Sequence, residues 1–131
     1  MKLRTMLLAA AAAGLLTSTF ALAEDFLGGV VKSADVAGKT IFTNDAGMTL
    51  YTWDNDAPGE STCYDKCAEA WPPLLVPADT AVTGDFTLVD RKDTDMKIVA
   101  YKGYPLYLWF KDTKPGDTTG DGVNNWHTAV M

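Results

Sequence analysis

Two cysteines and one histidine carry the most recognisable chemistry in this chain: Cys63 and Cys67, four apart, and His127. The segment Cys63-Tyr64-Asp65-Lys66-Cys67 is C-x-x-x-C. A c-type haem attachment is excluded, because it needs a histidine directly after the second cysteine. A thioredoxin-like enzyme is disfavoured, because no βαβ pattern surrounds the motif. Two readings stay open. In the first, the thiols oxidise to a disulfide that staples the loop before Trp71-Pro72-Pro73. Closing so small a loop contributes about 2 kcal/mol through chain entropy. In the second, two thiolates and the imidazole of His127 form a copper site of the chaperone kind, since soft sulfur and imidazole suit copper. That site needs reduced thiols, which an oxidising compartment opposes, so the disulfide is the first choice.

Oxygen ligands are the next candidates. Asp112, Asp117, Asp121 and Asn124 surround Gly116, Gly120 and Gly122. Such a cluster invites Ca²⁺, but the ligand spacing of an EF-hand is absent. Aspartates in glycine-rich turns ordinarily cap backbone N–H groups, and that is the preferred reading. Catalysis has little support. Beyond the leader the serines are Ser33 and Ser61, neither in a nucleophile elbow. No H-E-x-x-H, P-loop or G-x-G-x-x-G occurs. The chain is therefore read as non-enzymatic and without a cofactor, copper being the alternative.

The composition agrees. Of 131 residues, 47% are hydrophobic and 21% charged, which is globular and not disordered. The chain has 11 Lys+Arg against 17 Asp+Glu, so a basic footprint for nucleic acid is missing. Met1 to Ala23 reads as a signal peptide. Lys2 and Arg4 precede the apolar run Met6–Leu16, and Ala21-Leu22-Ala23 is an A-x-A cleavage site. The run is too short to span a bilayer. Cleavage after Ala23 would leave residues 24–131 as one soluble, periplasmic or secreted domain, with no cysteine placed to accept a lipid. Losing Lys2 and Arg4 takes the net charge from −6 to −8.

An internal repeat must position the candidate residues. With Gly47 set on Gly103, Leu50-Tyr51-Thr52-Trp53-Asp54-Asn55-Asp56 falls without a gap on Leu106-Tyr107-Leu108-Trp109-Phe110-Lys111-Asp112. Pro58-Gly59 matches Pro115-Gly116 one residue later, and Trp71 pairs with Trp126. Upstream, Thr40–Thr43 is laid over Met96–Val99. Repeat one covers about 38–78 and repeat two about 94–131, joined through Asp79–Asp85. If the halves pack about a two-fold, Trp71 and Trp126 become equivalent, and the cysteines and His127 lie on matching ends.

Short β-branched and aromatic runs at Ile41–Thr43, Phe86–Val89 and Lys97–Tyr101 predict strands, with turns at Asn44–Gly47 and Lys102-Gly103. Leu106, Leu108 and Phe110 replace the mixed face Leu50, Thr52 and Asp54, which predicts a second strand covered on both sides. One short helix is expected from Ser61 or Thr62 to Trp71, capped by Thr62 and stopped by Pro72-Pro73. The fold class is thus all-β, a small antiparallel domain of two related halves with one short helix near the cysteines. Trp53 and Trp109 are expected to be equivalent and largely buried. Some of the many aromatics could instead form a platform for a sugar or a protein.

Tyr51, Trp53 and Asp56, and again Tyr107, Trp109 and Asp112, fit Y-x-[FWY]-x-x-D. The chain resembles the family of predicted bacterial lipoproteins defined by that motif, also called the secreted repeat of unknown function. The resemblance extends over Pro58–Cys67 with Trp71-Pro72-Pro73-Leu74, and over Lys114–Asp117 with Gly120-Asp121-Gly122 and Trp126-His127. It implies export, often lipidation, and tandem units, but no established activity. The missing lipid-accepting cysteine departs from the family pattern. The reading as a whole is an exported binding or interaction module for an unknown protein or small ligand.

Overall fold

The computed structural model describes residues 23–131, so all but the last residue of the expected leader lies outside the described residues. Among the described residues no helix is long and apolar enough to cross a membrane. The chain runs β1 (Asp25–Phe26), a 3-10 turn (Leu27–Gly29), β2 (Val31–Val36), β3 (Lys39–Asn44), β4 (Tyr51–Trp53), α1 (Lys66–Ala70), β5 (Leu75–Val76), β6 (Phe86–Asp90), β7 (Lys97–Tyr101), β8 (Tyr104–Pro105) and β9 (Trp126–Thr128). All strand pairing is antiparallel: β1-β2-β3, β4-β9, and β5-β7-β6 with β8 on β7. Among the described residues the predicted all-β class with one small helix is what forms.

Turn chemistry sets the hairpins. Lys102-Gly103 closes β7 onto β8 with both residues at positive φ, the geometry that matches strand twist. Ala37-Gly38 does the same between β2 and β3, a turn not among those expected from the sequence. Asn44 closes the longer loop before β4, accepting the N–H of Ala46 and Met48 on Oδ1. A Cβ on Gly103 would sit 2.9 Å from Cβ of Pro58, and one on Gly47 would sit 3.3 Å from Cβ of Pro115. Each repeat's glycine turn therefore packs on the other repeat's proline.

The halves are related by a two-fold and exchange their last segments. Leu50 donates to Phe42 O, Phe42 to Ala129 O, and Ala129 to Leu50 O. Leu106 donates to Val99 O, Val99 to Leu74 O, and Leu74 to Leu106 O. Residues 129 and 74 come from the opposite repeat in each case. Neither repeat completes its own sheet. The matched bonds equate Phe42 with Val99, so the gapless upstream placement of Phe42 on Ile98 was one residue off. The loop between the two strands is one residue longer in repeat one.

Alternation along the central segments divides the core. Leu50 and Leu106 enter a hydrophobic cluster with Val31, Phe42, Val76, Phe86, Val99 and Ala129. Tyr51 and Tyr107 enter a second cluster with Cys63, Trp71 and Trp126. The helix is shorter than predicted. It begins at Lys66, because Asp65 takes φ 53° and breaks the run from Thr62. Residues 106–109 form no extended strand beyond single bridges, and Phe110 is 58% exposed. The expectation of a second strand covered on both sides fails there.

Candidate functional site

The two copies of the motif meet at their tyrosines. Tyr51 N–H donates to Tyr107 O at 2.8 Å, and Tyr107 N–H donates to Tyr51 O at 2.9 Å. This reciprocal pair lies at the two-fold. The hydroxyls then cross over. Tyr51 donates its hydroxyl to Oδ2 of Asp112 at 2.6 Å, and Tyr107 donates to Oδ2 of Asp56 at 2.7 Å. The other carboxylate oxygen is also matched. Asp56 Oδ1 accepts the N–H and hydroxyl of Thr62, both at 2.8 Å. Asp112 Oδ1 accepts the N–H and hydroxyl of Thr119 at 3.0 and 2.7 Å. The side chains of Tyr51, Tyr107, Asp56 and Asp112 are all buried. Each buried carboxylate thus receives three donors, which satisfies it away from water.

The tryptophans follow the same symmetry. Trp71 and Trp126 lie face to face, centroids 3.9 Å apart and planes 5° apart. Trp109 stacks on Trp71 at 3.9 Å, and Trp53 on Trp126 at 5.0 Å. The order Trp53–Trp126–Trp71–Trp109 is one continuous stack. Tyr51 meets Trp71 edge-on, and Tyr107 meets Trp126 likewise, at 5.3 and 4.9 Å. Trp53 and Trp109 are equivalent, as expected. They are only half-buried, because they end the stack; the buried pair is Trp71 and Trp126. Gly120 is boxed in by this stack, since a Cβ there would lie 2.8 Å from Trp71 and 2.9 Å from Trp109.

Burial, then the bond to Asp112, pushes the Tyr51 hydroxyl well above its ordinary value. Burial does the same for Tyr107, with Asp56 adding to it against an opposing bond from Ser61. The neutral phenol is thus the folded form. Its stabilisation is present below the unfolded tyrosine value of about 10 and is lost as pH rises above it. Alkaline titration is expected to leave both phenols protonated until the chain unfolds. Tracking phenolate absorbance together with far-UV circular dichroism checks this. Full phenolate formation in folded protein would contradict it.

The surroundings of Asp56 carry additions that those of Asp112 lack. Cys63 and Cys67 are joined as a disulfide, Cα atoms 5.2 Å apart. Arg91, nearly buried, donates through Nη1 to Ser61 Oγ at 3.0 Å and to Cys63 O at 2.5 Å. Ser61 Oγ lies 2.5 Å from Tyr107 Oη. Arg91 also pairs with Asp93 at 2.9 Å and lies 3.8 Å from the centre of the Tyr64 ring. The roles of Ser61, Arg91, Thr62, Thr119 and Gly120 here are not those that the sequence alone suggests. For Thr62 and Thr119 the sequence does hold a signal, a Thr six or seven residues after each motif Asp.

The structure does not assemble Cys63, Cys67 and His127. The sulfurs are bonded to each other, and Cys63 lies in the aromatic cluster with Trp126. His127 follows Trp126 on β9, so its side chain leaves by the other face, where Nε2 lies 2.9 Å from Oδ2 of exposed Asp54. The two-fold equates Trp71 with Trp126, and so sets Pro72, not a cysteine, opposite His127. Among the described residues no three His, Cys, Asp or Glu side chains converge on a metal-sized point. Accordingly, His127→Ala is expected to leave any copper affinity of the reduced thiols unchanged in titration. A sharp loss in that variant would restore the three-ligand site.

The acidic loop is likewise spent on turns. Asp117 accepts the N–H of Thr113 and of Lys114, and the Lys114 ammonium. These bonds, Thr113 first, hold its carboxyl down to about 2. Asp121 accepts the N–H of Thr128, which also lowers its value. Asp112 serves Tyr51 and Thr119.

A family profile described as a secreted repeat of unknown function matches residues 32–75 and 87–130. The chain belongs to this family. The two matched spans are the two halves that exchange their ends. No curated protein and no solved structure matches the chain. In this member, the tyrosine and aspartate of the repeat motif lock one repeat onto the other, and the tryptophan ends the central stack.

Proposed function

We propose that this protein is an exported, non-enzymatic binding module whose contact surface is centred on Phe110, and that its partner is a protein. The observation that carries the proposal is an apolar ring exposed where the fold does not ask for one. The two-fold counterpart of Phe110 is Asp54, which is polar and paired with His127. Phe110 is 58% exposed, the most open large hydrophobic among the described residues. Its N–H is fixed to Ala70 O at 2.9 Å, and Trp109 holds its ring edge-on at 4.9 Å. It borders a shallow groove of about 330 Å³ lined by Lys66, Glu69 and Ala70. A rigid aromatic centre with charges of both signs at the rim has the anatomy of a protein contact. A sugar would stack on flat indole faces, but those faces are largely taken up by one another.

Export is supported by the leader at the start of the sequence and by the secreted family. Among the described residues neither Ser33 nor Ser61 hydrogen-bonds to the His127–Asp54 pair, so a serine triad is not formed there. The test uses a photo-crosslinking phenylalanine analogue at position 110 and, as a control, at exposed Tyr104 in exporting cells. The expected result is a discrete crosslink to one protein from position 110 only. It should disappear with Lys66→Glu and Glu69→Lys combined. No crosslink from 110, or the same products from both positions, would contradict the proposal.

A further inference from the structure

We propose that the tryptophan stack and the two carboxylate-bonded tyrosines form a relay for single oxidising equivalents. A hole entering at Trp53 or Trp109 passes through Trp126 and Trp71. It comes to rest on Tyr107 or Tyr51, as that residue's hydroxyl proton passes to Asp56 or Asp112. The co-reactant is a diffusing one-electron oxidant of the radical class, met outside the cytoplasm.

Four features carry this. The first is continuity, for the four indoles are stacked without a break from one half-buried end to the other. The second is overlap. Aromatic pairs ordinarily sit offset, with centroids about 4.5–7 Å apart. Trp71 and Trp126 lie parallel at 3.9 Å, and a positive hole shared over two overlapping rings is stabilised relative to one confined to a single ring. The third is access, since the stack ends, Trp53 and Trp109, reach solvent while the central pair does not. The fourth is the proton. An oxidised phenol is a strong acid, so tyrosine gives up its electron readily only where its proton has a place to go. Each buried hydroxyl already points at a carboxylate, at 2.6 and 2.7 Å, and each carboxylate is held as an acceptor by a threonine N–H and hydroxyl. Among the described residues, these two phenols are the only tyrosines hydrogen-bonded to carboxylates.

The step balances within the protein. The oxidant takes one electron from Trp53 and is reduced, leaving an indole radical cation. An electron from Trp126 refills Trp53, so the hole moves inward. Tyr107 then gives one electron to Trp126. Its O–H bond breaks and the proton moves to Oδ2 of Asp56. The products are a neutral phenoxyl radical and a neutral carboxylic acid, and no proton is released to solvent. The same sequence runs from Trp109 through Trp71 to Tyr51 and Asp112. A hole that would otherwise react at the surface is held on a buried, hydrogen-bonded oxygen.

Pulse radiolysis of the protein with azidyl radical, which oxidises indoles, tests the relay. The expected result is an indole radical absorbance that converts to phenoxyl absorbance at a rate independent of protein concentration. That rate should fall at least twofold in D₂O, because a proton moves in the same step. In Tyr51→Phe/Tyr107→Phe the intramolecular phase should vanish, although Tyr64, Tyr101 and Tyr104 are still present. Circular dichroism confirms that the variant is folded. If it is not, the D₂O measurement on the unaltered chain decides alone. Indole radicals that decay only by second-order reactions, a phenoxyl phase that survives in the folded double variant, or no effect of D₂O would each overturn the relay.

Discussion

Trp126→Ala is expected to destabilise the protein by about 3–5 kcal/mol, the usual cost of truncating a large buried aromatic. Trp126 is 2% exposed, stacks on both Trp53 and Trp71, and meets Tyr107 at right angles. Its removal opens the centre of the stack on both sides at once. Trp71→Ala is the two-fold equivalent and should match it in size. Trp53→Ala and Trp109→Ala should cost less, because each ends the stack and keeps one side in water. Urea unfolding, compared at equal slope, reads these differences directly. Equal losses for end and centre would mean that the four indoles do not form one graded stack. Losses below about 1 kcal/mol for Trp126 would place it on the surface.

Asp56→Ala should cost on the order of 3 kcal/mol, since it strands donors to a charged group inside the protein. The Tyr107 hydroxyl, the Thr62 N–H and the Thr62 hydroxyl all lose their acceptor. Asp112→Ala should have a similar effect through Tyr51 and Thr119. By contrast, Asp54→Ala removes only an exposed contact to His127 and should stay within about 0.5 kcal/mol. Thermal or urea unfolding of the three variants checks the ranking. If Asp54→Ala cost as much as Asp56→Ala, the burial of the motif aspartate would not explain its effect.

Much of the architecture was legible because it is written twice. The Leu-Tyr-x-Trp-x-x-Asp match announced two related halves, and the period-two alternation placed Leu50 and Tyr51 on opposite faces. Lys102-Gly103 and Asn44–Gly47 marked their turns through residue chemistry. The exchange of the final segments was not legible. A repeat aligned to itself says which residues correspond, but not whether Leu74 pairs with its own repeat or with the other. The one-residue shift at Phe42 and Val99 stayed hidden for a related reason, because a gapless match rewards identity and not hydrogen-bond register. Turn-capping chemistry accounts for part of what the motif aspartates do, through Thr62 and Thr119. Their second bond, to the tyrosine of the opposite half, depends on long-range packing. The same packing turned His127 away from the cysteines and left Phe110 in solvent. Both outcomes rest on which face of a strand the partner repeat covers.

The motif joins one repeat to the other through Tyr51–Asp112 and Tyr107–Asp56. Double-mutant cycles on unfolding free energy test it most directly, pairing Tyr51→Phe with Asp112→Asn and, separately, with Asp56→Asn. Contacting residues in one network couple by about 0.5–3 kcal/mol, whereas residues without shared partners add to within about 0.5 kcal/mol. Coupling is expected for Tyr51 with Asp112, and additivity for Tyr51 with Asp56. Coupling inside the repeat, between Tyr51 and Asp56, with none across to Asp112 would contradict it.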